Sequence, residues 1–205
     1  MAYPCNRLMI LATALFCSLP LRAVAATNTV ETAMVQLRVT PSMIANPDPT
    51  PFLRIYKSGR AVVHYPRYMK QSGDYELMLT EAELKALLDS LYDNGIMTID
   101  IDALKSARSR QVASEPDVAS GPYAHNFATT VLELNVDSYD PPGATKARLQ
   151  NVSRKITWRD LERDARRHPD IPGIKQLQTA VAALLEIRKR PDLKPRSVPK
   201  AEANE

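Results

Sequence analysis

The residue types best suited to binding chemistry concentrate between residues 53 and 70 of the 205-residue chain. Arginine and lysine occur there with tyrosine and histidine, and apolar residues separate many of them. A guanidinium group forms paired hydrogen bonds with a carboxylate and stacks on aromatic rings, so this combination predicts a site for a carboxylate or a sugar acid. The alternative is a solvated strand face, on which arginine and tyrosine are common. The predicted ligand-binding residues are Arg54, Tyr56, Arg60, His64, Arg67 and Lys70.

A β-hairpin is the element that would align these side chains. A two-residue loop at Ser58 and Gly59 would place Lys57 opposite Arg60, where like charges repel. A three-residue loop avoids this contact, because Gly59 then takes the left-handed position of a type I turn with a G1 bulge. In this register one face is apolar and the other is mostly polar. The apolar face carries Leu53, Ile55, Ala61, Val63 and Tyr65, and the polar face carries Arg54, Tyr56, Arg60, Val62 and His64.

Motifs of the common enzyme classes are absent from the sequence. The chain contains no G-x-S-x-G, P-loop, G-x-G-x-x-G or H-E-x-x-H pattern. Its histidines, His64, His125 and His168, are widely separated, so their spacing predicts no metal site. We therefore assign no catalytic residue, metal ligand or cofactor, and we expect a non-enzymatic binding or interaction protein. The alternative is a hydrolase whose histidine and carboxylate residues meet only in the fold.

The N-terminus has the organisation of a secretory signal peptide, which we place at residues 1–26. Arg7 precedes a nearly unbroken apolar run from Leu8 to Leu21, and Ala23 and Ala25 form an A-x-A cleavage site. The run is shorter than the ~20 apolar residues that a membrane span needs. We expect export to the periplasm or the extracellular space, with no transmembrane span after cleavage.

Both cysteines of the chain, Cys5 and Cys17, fall inside this N-terminal segment. The mature chain is therefore expected to contain no disulfide and no thiolate, and it must rely on its core for stability. About 180 residues remain, which is enough for one domain with a sizeable core.

Charge is divided unevenly along the chain. Residues 27–145 contain 10 lysines and arginines against 15 aspartates and glutamates, whereas residues 146–205 contain 15 against 8. A basic C-terminal third favours an anionic surface such as lipid head groups. The alternative is that solvated helix faces and a basic tail happen to fall there. We expect the partner to be an anionic envelope component or another envelope protein, and we expect no nucleic acid.

A strand followed by a capped helix is predicted in the middle of the chain. Tyr75 and Leu77 alternate with polar residues, and Thr80 and Glu83 then form a capping box. Leucines follow at helical spacing, and Gly95 is placed to end the helix in the left-handed conformation.

The same pattern recurs later in the sequence. Residues 127–139 alternate as a strand, and residues 146–156 read as its returning partner. Thr157 and Asp160 predict a second capping box, and an apolar stripe from Ile174 to Arg188 predicts a further helix. The predicted fold class is α+β, with an antiparallel sheet of about five or six strands and three main helices packed on one face.

We expect a single α+β domain at residues 27–188. A mobile loop is predicted near residues 103–126, after a short helix near Ile101 to Arg110. The final segment, residues 189–205, is rich in proline and basic residues and has no apolar face, so it is predicted to be a disordered tail.

Three segments together carry a resemblance to known proteins. They are FLRIYKSGRAVVHYP, SGDYELMLTEAELKALLDSLYDNG and the later strand followed by a capped helix. In the spacing of their core residues, over most of residues 32–188, they resemble small exported bacterial proteins of unknown function. The resemblance implies the α+β fold and export, and it carries over no catalytic residue.

Overall fold

The structure, a computed structural model, describes residues 31–114, 127–143 and 146–196. These residues belong to one compact unit that begins at Glu31. The strands are β1 (Ala33–Pro41), β2 (Leu53–Tyr56), β3 (Arg60–Tyr65), β4 (Gly73–Met78), β5 (Ala128–Tyr139), β6 (Leu149–Arg159) and β7 (Lys194–Pro195). The helices are α1 (Glu81–Asp93), α2 (Ile101–Ser114), α3 (Leu161–Arg167) and α4 (Pro172–Glu186), and a 3₁₀ turn, Ile187–Lys189, follows α4.

The strands form one antiparallel sheet in the order β6-β5-β1-β2-β3-β4-β7. Strands β1 to β4 make a meander, in which each strand pairs with its neighbour in the sequence. Strands β5 and β6 make a hairpin. The pairing of β1 with β5 joins the meander to the hairpin.

One face of the sheet shares its main apolar core with the helices. The strands contribute alternate residues, such as Leu132 and Leu134 of β5, because successive side chains of a strand point to opposite faces. Helix α4 contributes Ile174, Leu177 and Leu184, which are spaced at helical intervals and fully buried. The predicted α+β class with an antiparallel sheet is confirmed. The described residues form seven strands and four helices, slightly more than predicted.

The predicted hairpin and its turn are confirmed. In the register that pairs Ile55 with Ala61, β2 ends at Tyr56 and β3 begins at Arg60, which leaves a three-residue loop that ends at Gly59. Gly59 has φ +86° and donates its N–H to the Tyr56 carbonyl at 3.0 Å. A Cβ atom on Gly59 would lie 2.5 Å from the carbonyl oxygen of Leu79. Both the backbone conformation and this close approach therefore require glycine.

Helix α1 begins and ends as predicted. Thr80 accepts from the backbone N–H of Glu83, and the Glu83 carboxylate accepts from the backbone N–H of Thr80, which completes the capping box. At the other end Gly95 has φ +71°, and Ile96 donates its N–H to the Leu91 carbonyl at 2.9 Å. This is a Schellman motif, in which a left-handed glycine allows the last carbonyls of the helix to be bonded.

The second predicted capping box is wrong. Strand β6 continues through Thr157 to Arg159, so the helix that was predicted to start at Thr157 starts at Leu161. Asp160 occupies the N-cap with φ +60° and makes no side-chain cap hydrogen bond. The strand continues to Arg159 because Trp158, as a residue of β6, is buried in the core. Aromatic and β-branched residues such as Trp158 and Thr157 are favoured in strands.

Two segments that were predicted to lack structure are partly ordered. Helix α2 confirms the short helix predicted near Ile101 to Arg110 and continues to Ser114, so the mobile loop predicted near residues 103–126 is wrong for residues 103–114. The predicted disorder from residue 189 is wrong for residues 189–196, because Lys194 and Pro195 pair with Glu76 and Tyr75. Arg196 then donates its N–H to the Asp74 carbonyl at 2.8 Å.

Several predictions concern residues outside the described ranges. They are the signal peptide at residues 1–26 with Cys5 and Cys17, the segment 115–126 with His125, and residues 197–205 of the tail. These remain predictions. In the described part of the chain, no helix combines the length and the apolar character needed to cross a membrane.

Candidate ligand-binding site

The predicted binding residues on the hairpin share the sheet face that lies opposite the main core. Tyr56 and Val62 are buried there and form a small second apolar cluster with Ala33. Arg54 and His64 are half-buried on the same face, and both lie within 4 Å of Asp74. The face is therefore partly covered by the protein itself, which differs from the fully solvated face expected for a free strand.

His64 is held between two carboxylates. Its Nδ1 lies 2.6 Å from Oδ1 of Asp74, and its Nε2 lies 2.9 Å from Oδ2 of Asp48. Burial alone would lower the pKa of His64, but the hydrogen bonds with Asp74 and Asp48 outweigh burial and raise it. The bond from His64, together with the backbone N–H of Thr50, lowers the pKa of Asp48 to about 2. The arrangement therefore stabilises the charged imidazolium between two anions.

The two arginines of the predicted site also have partners within the protein. An Nη atom of Arg54 lies 3.7 Å from Asp74, and an Nη atom of Arg60 lies 3.3 Å from Glu31. The Arg60 guanidinium also stacks at 4.0 Å from the centre of the Tyr56 ring. The positive charges that were predicted to meet a ligand are thus balanced by carboxylates of the same chain. Arg67 and Lys70 lie apart from this group, in the exposed turn that joins β3 to β4.

A second concentration of basic and aromatic residues lies at the far end of the sheet, where α2, β6 and α3 meet. These elements surround an open cavity of about 560 Å³, which we call the Phe127 cleft. Its lining contains four cationic side chains and two carboxylates. The lining residues are Lys105, Arg108, Ser109, Phe127, Thr157, Trp158, Arg159, Asp160, Arg163 and Asp164.

A buried carboxylate organises one wall of the Phe127 cleft. Asp164 is only 1% exposed and accepts from Nε of Arg108 at 2.6 Å and from Nη2 at 3.2 Å. It also accepts from the indole Nε1 of Trp158 at 2.9 Å. A two-point contact of this kind fixes the plane of the guanidinium group. Arg108 is consequently held at the cleft in one orientation, with one third of its side chain exposed.

The opposite wall of the cleft is built on an aromatic ring. The guanidinium carbons of Arg159 and Arg163 lie 4.5 Å and 4.9 Å from the centre of the Phe127 ring. Arg163 also forms an ion pair with Asp160 at 2.6 Å. Arg159 is exposed and contacts no carboxylate among the described residues, and the same holds for Lys105. Within the described ranges, Lys105 and Arg159 therefore have no counter-ion at the cleft, whereas Asp160 is paired with Arg163 and Asp164 is bonded by Arg108 and Trp158.

The sequence predictions did not identify this cleft. Its residues come from three separate segments, namely α2, Phe127 just before β5, and the continuous stretch from the end of β6 into α3, and only packing brings these segments together. The available signals were the basic C-terminal third and the single tryptophan of the chain, neither of which specifies a partner. Of the residues predicted on the hairpin, Arg60 stacks on Tyr56, and Arg54 and His64 share the Asp74 carboxylate, whereas Arg67 and Lys70 lie apart.

Within the described ranges, no group of three or more histidine, cysteine, aspartate or glutamate side chains is arranged to hold a metal ion. Comparison with known proteins gives no relative from which a role could be transferred. The chain matches no protein-family model, no characterised protein and no solved structure.

Proposed function

We propose that this chain is an exported, non-enzymatic protein that binds an anionic ligand in the Phe127 cleft. The observation that carries the proposal is the excess of positive charge at an open cavity. Lys105 and Arg159 have no carboxylate partner in the described part of the chain, and the two carboxylates of the lining are engaged by Arg108, Arg163 and Trp158. An anion that enters the cleft would supply the missing counter-charge.

The walls of the cleft are suited to binding because they are already ordered. The buried Asp164 fixes Arg108, and the Phe127 ring supports Arg159 and Arg163 by stacking. Long cationic side chains lose conformational entropy when they bind a ligand, and this cost is smaller when neighbouring groups already hold them in place. The arrangement therefore favours recognition of a carboxylate or a phosphate through hydrogen bonds from guanidinium groups.

The hairpin site supports this proposal less well than the cleft does. Arg54, Arg60 and His64 each lie within 4 Å of a carboxylate of the same chain. An anionic ligand would have to displace these carboxylates before it could bind. The hairpin face is better explained as a set of internal ion pairs that fasten β2, β3 and β4 together.

The alternative function, an envelope hydrolase, rests on the contact of His64 with carboxylates. A general base needs a ring nitrogen that can reach the proton of a substrate or a water. Both ring nitrogens of His64 are bonded to carboxylates, and the imidazolium that they favour cannot accept a proton. This geometry supports a structural role for His64 and, with it, a binding function for the protein.

The experiment is a titration that is followed by the fluorescence of Trp158, the only tryptophan of the chain. Because Trp158 lines the cleft, succinate and inorganic phosphate should change its emission in a saturable manner. Arg159→Ala should weaken the binding by about tenfold, which is the effect of losing one charge-assisted hydrogen bond.

Arg166→Ala is the matched control, because Arg166 is an exposed arginine of the adjacent helix α3 and does not line the cleft. It should bind both anions as the wild type does. If neither anion changes the emission of the wild type, or if both variants bind equally well, the cleft is not an anion-binding site.

A further inference from the structure

The two edges of the sheet differ in how they are paired. On one side, β4 is the last long strand, and the C-terminal strand β7 pairs with it through Tyr75 and Glu76. On the other side β6 pairs only with β5 in the described part of the chain. Strand β6 has 11 residues and is one of the two longest strands, so it presents an extended row of backbone N–H and C=O groups.

The unpaired edge and the Phe127 cleft meet at the same place. Thr157, Trp158 and Arg159 are the last three residues of β6, and all three line the cleft. Other positive side chains, those of Arg154 and Lys155, occur earlier on the strand and are exposed. Anything that pairs with the edge of β6 would therefore run into the cleft at the C-terminal end of the strand.

We propose that the ligand is an extended peptide that adds to β6 as an antiparallel strand and places an acidic N-terminal part in the Phe127 cleft. This inference rests on the proposed anion-binding function and specifies its ligand class. Antiparallel addition continues the pattern of the sheet, because all of its strand pairs in the described residues are antiparallel. It also places the N-terminus of the peptide at the Arg159 end of β6. Main-chain hydrogen bonds would then supply affinity and the cleft would supply charge selectivity.

Charge complementarity determines which peptide fits. Among the described residues, Lys105 and Arg159 at the cleft have no carboxylate partner, and Arg154 on β6 donates only to backbone carbonyls, so glutamate or aspartate side chains are favoured on the peptide. Lys155 contributes less, because it is already paired with Glu133 of β5 at 2.8 Å. The alternative role of positive residues on an edge strand is to prevent other strands from pairing with that edge. The two roles differ in one measurable respect, which is whether backbone hydrogen bonds of a peptide contribute to its affinity.

The probe is an acetylated and amidated octapeptide with two N-terminal glutamates followed by alternating threonine and valine. The matched anion is acetylated and amidated diglutamate, which can occupy the cleft but is too short to follow the strand. Two further octapeptides carry N-methyl groups on alternate residues, one on the odd-numbered and one on the even-numbered positions. In an antiparallel pair alternate residues direct their N–H groups to the neighbouring strand, so only one of the two methylated peptides should lose its pairing.

Binding to the full chain is measured by Trp158 fluorescence, since none of the peptides contains tryptophan. We expect the octapeptide to bind at least about tenfold more tightly than diglutamate, the gain of one to two net backbone hydrogen bonds. One methylated peptide should lose this gain and the other should keep it. Arg159→Ala should weaken both the octapeptide and diglutamate, whereas Arg166→Ala should weaken neither.

The outcomes separate this inference from the proposed function. If diglutamate binds but the octapeptide binds no more tightly, or if the two methylated peptides behave alike, strand addition is wrong and anion binding stands. If neither diglutamate nor the octapeptide binds, the proposed function is wrong and the inference is wrong with it.

Discussion

His64 and Asp74 are directly opposite each other on β3 and β4, and their side chains join at 2.6 Å between Nδ1 and Oδ1. Asp48, in the loop before β2, bonds the other ring nitrogen of His64. A histidine that the sequence placed on a ligand-binding face thus connects two strands and a loop. This relationship makes the stability of the protein depend on pH in a defined way.

The first prediction concerns that dependence. The raised pKa of His64 contributes stability that is fully present below its ordinary value of 6.5 and is lost as the pH rises through the folded-state pKa. The lowered pKa of Asp48 contributes stability that is present above 3.8 and is lost as the pH falls towards about 2. The combined contribution of His64 and Asp48 to stability should therefore be greatest between pH 3.8 and pH 6.5.

Urea unfolding of wild type and His64→Gln at pH 5.5 and pH 9 measures the effect. The variant should lose about 1–3 kcal/mol at pH 5.5 and less at pH 9, because the charge of His64 is lost as the pH rises through its raised pKa. Arg67→Ala, in the exposed turn, should change neither value. An equal loss for His64→Gln at both pH values would show that the charge of His64 does not contribute.

The second prediction compares two glycines with positive φ. Gly59→Ala places a Cβ atom 2.5 Å from the Leu79 carbonyl oxygen, whereas Gly95→Ala meets no atom within 4 Å. Both variants carry the strain of the left-handed conformation, about 1 kcal/mol, but only Gly59→Ala also forces β3 and the end of β4 apart. Thermal unfolding should show a loss for Gly59→Ala that is about 1–3 kcal/mol greater than that for Gly95→Ala. Equal losses would mean that the hairpin relaxes without cost.

The third prediction concerns the buried carboxylate of the cleft. Arg108→Ala leaves Asp164 with Trp158 as its remaining hydrogen-bond donor among the side chains described, and this should destabilise the protein by about 3 kcal/mol. The exposed Arg110 lies two positions further along α2 and makes no contact with Asp164, so Arg110→Ala should change stability by less than about 0.5 kcal/mol. Denaturant unfolding gives both values, and Trp158 emission should shift in the first variant only.

The fourth prediction concerns the C-terminal strand. Ending the chain after Leu193 removes β7 but keeps Arg190, which bonds Glu83 on α1 at 2.5 Å. Hydrogen exchange should become faster in β4, whose outer edge loses its partner, while β5 should keep its protection. Mass spectrometry of peptic fragments distinguishes the two strands. Unchanged exchange in β4 would show that β7 adds nothing to the protection of the edge.

The elements that the sequence predicted correctly have strong local signals. Gly59 specifies the turn of the hairpin, and Thr80, Glu83 and Gly95 specify both ends of α1. The prediction was wrong at Thr157, because a threonine three residues before an acidic residue also occurs inside a strand. Burial of the Trp158 side chain decides whether Thr157 continues the strand or begins a helix, and burial is a tertiary property.

The candidate site was harder to predict than the fold. Sequence spacing showed that Arg54, Arg60 and His64 share a face, but it could not show that Asp48, Asp74 and Glu31 supply their counter-ions. Those carboxylates come from a loop, a neighbouring strand and the segment before β1. The Phe127 cleft has the same origin, since its walls come from elements that meet only through packing. The two-residue strand β7 is too short to show any periodicity.

The position of β1 between β2 and β5 has a consequence for how the protein folds. The meander β1–β4 and the hairpin β5–β6 consist of contacts between neighbours in the sequence, which form quickly. The ladder of seven residue pairs between β1 and β5 joins them across a large sequence separation, and its formation must offset the entropy of closing that loop. We expect this ladder to set the refolding rate, so that substitutions along it slow refolding while substitutions at the tip of the hairpin mainly speed unfolding.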